Sequence, residues 1–114
     1  MSDSIELAAA AFREAITNAI VPLQTVRTVK TDEFACLEKC AAELVALLKG
    51  RDLVSKSLLN EFFITAQILK NEAPHCGKDR GFIEGVAQKI EYYFGLILKD
   101  ESPQQRTPGV PRIF

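Results

Sequence analysis

The stretch that most constrains the fold is residues 58–69, LLNEFFITAQIL. Read at a helical period, Leu59, Phe62, Phe63, Ala66 and Leu69 make one apolar face. Leu58, Ile64 and Ile68 carry greasy surface well past its edges. A helix on the rim of a bundle shows a wide polar side, but this one offers only Asn60, Glu61, Gln67 and Lys70. The pattern predicts a central helix, touched from several directions, with both Phe62 and Phe63 buried.

Three further helices are legible around it. Asp3, three residues before Glu6, forms a variant of the capping box. The helix it opens carries Ile5, Ala8, Ala9, Phe12, Ile16, Ala19 and Ile20 on one side. Pro22 disfavours helix at Val21, so the first helix should end there, with a linker over residues 23–30. Thr31 and Asp32 offer the next N-cap. The second helix should reach about Lys49, with Leu37, Cys40, Ala41, Leu44, Leu47 and Leu48 inward and Gly50 as a left-handed cap. Asp52, Ser55 and Ser57 all qualify as caps for the central helix, which must stop by Glu72 because Pro74 follows.

After a loop at residues 75–78, a fourth helix is expected from about Asp79 to Lys99. It should bury Phe82, Ile83, Val86, Ile90, Tyr93, Phe94 and Ile97. With no convincing strand-like alternation, the fold class is all-α: an antiparallel four-helix bundle over residues 1–100. Residues 101–114 contain three prolines and form an extended proline-rich C-terminal tail. Val110, Ile113 and Phe114 would anchor it on its own bundle or on a second chain, as in a homodimer.

Composition removes several functions. Fourteen basic residues against fifteen acidic give a net charge of −1, without a basic stripe, so nucleic acid is not an expected partner. No apolar run reaches membrane-spanning length, and Met1-Ser2-Asp3-Ser4 lacks the basic start of a leader. Three cysteines without a secretory signal point to a reducing compartment, so the expected location is cytoplasmic.

Chemistry-bearing residues are sparse. Cys36 and Cys40 lie four apart on a helix, and His75-Cys76 adds two soft ligands, together enough for a tetrahedral zinc site if the loop folds back. The first pair lacks the tight spacing of structural zinc motifs, and cysteine is commonly just buried, so no metal or cofactor is expected. His75 is the sole histidine and has no nucleophile motif beside it, while the carboxylates fall singly on exposed faces. The protein is read as a non-enzyme.

The fourth helix is more informative. Gly81 and Gly85 sit one turn apart on one side, which Gln88, Tyr92 and Gly95 extend, flanked by Glu84 and Glu91. Each interior glycine costs about 1 kcal/mol relative to alanine. Either the glycines let the tail or the first helix pack closely, or they form a flat docking surface. On the second reading Glu84, Gln88, Glu91 and Tyr92 are the partner-binding residues.

Residues 47–51 (LLKGR), then Ser57, then residues 59–64 (LNEFFI), then a breaker and a helix bearing Tyr92-Tyr93, resemble small helical bacterial immunity proteins. Those proteins neutralise NAD-hydrolysing toxins delivered by type VI secretion. The resemblance spans about residues 34–98, with departures at Thr65, Ile68 and the loop of residues 73–78. It implies a cytoplasmic immunity protein that binds a cognate toxin and blocks its active site, without an active site of its own. The alternative from the residues alone is a small metal- or thiol-dependent regulatory protein using Cys36, Cys40, His75 and Cys76.

Overall fold

The computed structural model describes residues 2–51 and 53–101, with side chains between residues 4 and 99. The first helix begins at Ser2, so Asp3 lies within it and not at the cap position expected for it. The candidate cap Asp52 and the expected extended tail beyond residue 101, with its anchors Val110, Ile113 and Phe114, lie outside the described residues. Four α-helices carry the chain: α1 (Ser2–Val26), α2 (Thr31–Leu48), α3 (Lys56–Glu72) and α4 (Arg80–Glu101). Two short 3-10 turns, Ala73–His75 and Gly77–Asp79, join α3 to α4 in place of the expected plain loop. Among the described residues there is no strand.

The helix ends differ instructively from what propensity dictates. α1 does not stop at Val21 but runs through Pro22 to Val26. An interior proline removes one backbone bond and costs about 3 kcal/mol. Continuing the helix completely buries Leu23, which offsets about 1.5–3 kcal/mol of that cost. The true end is Arg27, in the left-handed region at φ 54°, after which the Thr28 N–H donates to the Pro22 carbonyl at 3.1 Å. α2 is preceded by Lys30, without a side-chain cap. The Lys30 carbonyl instead accepts from the N–H groups of Glu33 and Phe34 at 3.0 and 3.1 Å. Gly50 is left-handed as expected, at φ 81°. Of the three candidates to cap α3, Ser55 is the one: its Oγ accepts from the Leu58 N–H at 3.3 Å.

The helices form two hairpins, α1–α2 and α3–α4, closed into a ring by α2 against α4 and α1 against α3. α3 and α4 run antiparallel, since Phe63 meets Phe94 and, further along α3, Lys70 meets Glu91. Across the hairpins the directions are parallel. Phe12 stacks on Phe62 at 4.5 Å near the middle of α1 and α3, and further along both helices Arg27, just past α1, reaches Glu72 at the end of α3. Phe34 likewise meets Phe82 near the starts of α2 and α4. The expected antiparallel order therefore holds within a hairpin and not between hairpins. Residues 49–55 explain it, because seven residues can span up to about 23–25 Å, enough for the chain to cross the end diagonally.

α3 is consequently not the central helix. It touches α1, α4 and the first of the two turns, with α2 diagonal to it, while α4 meets α2, α3 and both turns. The buried face of α3 is Leu58, Phe62, Thr65, Ala66 and Leu69. Phe63, next round the helix, is 48% exposed where burial was expected. On α2 the inward seam is Phe34, Leu37, Ala41, Leu44 and Leu48, spaced three and four apart, with Cys40 beside it. Leu47 lies one position off that seam and faces out, contrary to expectation, while Phe34 is sealed and was not anticipated. Phe82 is also partly out, its ring T-shaped against that of Phe34 at 5.8 Å.

Candidate functional site

The residues weighed for thiol or metal chemistry do not form one set. Cys36 is exposed and Cys40 buried on adjacent turns of α2. Burial above all, and then the neighbouring Cys36 thiol, pushes the Cys40 thiol up from its ordinary value. His75 is exposed. The Cys76 thiol donates to the Glu72 carbonyl at 3.2 Å. Burial and then the Glu72 carboxylate also raise Cys76, against the opposing Arg27 guanidinium. Among the described residues no three His, Cys, Asp or Glu side chains come close enough to hold a metal ion.

The outer face of α4 is open. A Cβ built on Gly81, Gly85 or Gly95 meets nothing within 4 Å, so among the described residues no close packing accounts for these glycines. Tyr92 stands 61% exposed on this face and Gln88 is exposed with it. Its two carboxylates are engaged. The Arg80 guanidinium donates to Glu84 at 2.9 Å, and the Lys70 ammonium on α3 pairs with Glu91. Glu84, Gln88 and Lys70 line a shallow depression of about 310 Å³ along the α3–α4 seam. Three of the four sequence-predicted binding residues thus gather round one seam, and Tyr92 rises beside them.

The outer face of α3 was not anticipated as a surface. Asn60, Ile64, Gln67 and Asn71 form its ridge at spacings of four, three and four, with no charge among them. On the α4 edge stands Phe63, its ring 6.4 Å from that of Phe94. On the α1 edge lies an open groove of about 340 Å³ walled by Ile16, Ile64 and Ile68. At the groove's rim the Arg13 Nε donates to Glu61 Oε2 at 2.6 Å, while Glu61 Oε1 is buried without a partner. Three of the four charged side chains of α3 pair with neighbouring helices or their ends, Glu61 with Arg13, Lys70 with Glu91 and Glu72 with Arg27, while Lys56 in the first turn is exposed. The signal was present in the sequence as apolar surplus beyond one helical face. That surplus predicts a central helix, whereas Phe63 and Ile64 face outward.

No helix among the described residues is long and apolar enough to cross a membrane. No family model matches the chain, and neither does any curated protein or solved structure.

Proposed function

We propose that this chain is a cytoplasmic binding protein, without catalytic activity, that neutralises a bacterial toxin by docking on it through the outer face of α4. The observation that carries the reading is the open glycine face of α4. Gly81, Gly85 and Gly95 weaken the helix, nothing described fills the space above them, and the exposed Tyr92 stands in their midst. A flat backbone floor with one aromatic anchor and polar flanks is the anatomy of a protein interface. Glu84, Gln88, Glu91 and Tyr92 would be its contacts. The partner class comes from the resemblance over residues 34–98 to immunity proteins against NAD-hydrolysing toxins. An antidote to such a toxin acts by covering the active site in the compartment where the toxin's substrate is found.

The test is co-expression with a toxin encoded by the neighbouring gene. Wild-type protein is expected to preserve cellular NAD and growth. A folded Tyr92→Ala Gly85→Arg variant should lose that protection. Cells that lose NAD and die despite wild-type protein would overturn the reading.

A further inference from the structure

We infer that the outer face of α3 is a self-association surface, and that its occupant is a second copy of this chain packed about a two-fold axis running along α3. The inference stands apart from the toxin-binding reading, because it concerns a different helix face and a different partner.

The argument begins with a knob and a hole. Phe63 protrudes at the α4 edge of α3, half exposed. The Ile16–Ile64–Ile68 groove lies at the α1 edge, and its α3 wall spans residues 60–68, the level at which Phe63 stands. A two-fold axis parallel to a helix keeps the height of every residue and exchanges left with right. It therefore sets the Phe63 ring of one copy over the groove of the other, and the reverse contact follows by symmetry. The apolar surfaces are continuous across three helices, from Ile16 on α1 through Ile64 and Phe63 on α3 to Phe94 on α4.

Charge selects the same occupant. In a two-fold contact, residues near the axis meet their own copies, so a charged ridge would set like against like. Along this ridge Asn60, Gln67 and Asn71 are amides, each both donor and acceptor, which pair with themselves across an axis. Of the α3 charges, Glu61, Lys70 and Glu72 are already tied to Arg13, Glu91 and Arg27, and the exposed Lys56 lies one turn before Asn60, at the start of the helix and away from the centre of the ridge. Loss of charge at the centre of a surface, with aromatic and aliphatic groups around it, is the compositional mark of an interface core.

Sedimentation equilibrium of the full chain, from roughly 10 μM to 1 mM, reads the association directly. Wild type should show a monomer–dimer equilibrium, and Phe63→Asp should weaken it at least tenfold while keeping the helical circular dichroism. Asn60→Asp and Asn60→Lys, each alone, should weaken it similarly. Mixing those two variants should restore a heterodimer, because only then do opposite charges face one another near the axis. A wild-type chain that stays monomeric throughout the range overturns the proposal. So does a dimer indifferent to Phe63→Asp, or a failure of the mixed Asn60 variants to associate more strongly than either alone.

Discussion

The outer faces of α3 and α4 lie side by side yet are built on opposite plans. α3 turns out apolar side chains and amides, with Glu61, Lys70 and Glu72 paired to neighbouring helices or their ends. α4 turns out bare backbone at three glycines, a single tyrosine and two carboxylates. The first face is unlike a solvated surface because it carries too much apolar material. The second is unlike one because it gives up helix stability for no internal contact. Each oddity supports one of the two proposed surfaces, and the chemistry differs enough that mutations can separate them.

The sharpest contrast is between neighbours on α3. Phe62 is sealed and stacked on Phe12, so Phe62→Ala should cost about 3–5 kcal/mol, a loss able to prevent folding in a marginally stable domain. Phe63→Ala removes a half-exposed ring and should cost under about 1.5 kcal/mol. Denaturant melts of the two variants measure the difference, and equal losses would mean that Phe63 is a core residue after all.

On α4 the expected effect changes sign. Gly85→Ala should stabilise the protein by up to about 1 kcal/mol, because the added methyl meets nothing and the helix gains. The same substitution should weaken toxin binding if the floor of the interface is glycine. A destabilised Gly85→Ala protein would reveal close packing on that face, returning α4 to an internal role. Reversing Glu84 and Glu91 to lysine should cost about 0.2–1 kcal/mol for each pair lost, since both are half-exposed ion pairs. Toxin affinity should fall much further than stability, as isothermal titration and thermal melts would record together. Unchanged affinity in that double variant would move the interface off this seam.

The smallest effect expected is in the pH profile. The Cys40 and Cys76 thiols are both raised by burial, so the folded state favours their protonated forms. The stability they contribute is complete below the ordinary thiol value of 9.0 and is lost as pH rises through the higher folded values. Melts between pH 7 and 11 should therefore decline at the alkaline end, and Cys40→Ala should decline less steeply. A flat wild-type profile would show that neither thiol is held back.

Most of the secondary structure was legible because it is local. Gly50 marked the end of α2 through its tolerance of positive φ, and Pro74 marked the end of α3. Where local rules failed, burial had overridden them. Pro22 did not end α1, because Leu23, the very next residue, was worth burying. The α4 face was readable too, since glycines inside a helix are conspicuous whatever surrounds them. The α3 face was not. Apolar side chains at Phe63 and Ile64 look the same in sequence whether they meet a third helix or face outward.

What the sequence determined by itself, then, is an all-helical chain, the composition of each helix face and the positions where the backbone must bend or stop. These follow from the 3.6-residue period and the steric limits of single residues. Only the tertiary structure decided which helices are neighbours. Residues 49–55 are long enough to take α3 either beside α2 or diagonally across to α1, and no local preference distinguishes the two. The stacking of Phe12 on Phe62 belongs to the diagonal choice, which sets α1 and α4 on the two flanks of α3 and leaves Asn60, Ile64, Gln67 and Asn71 facing outward.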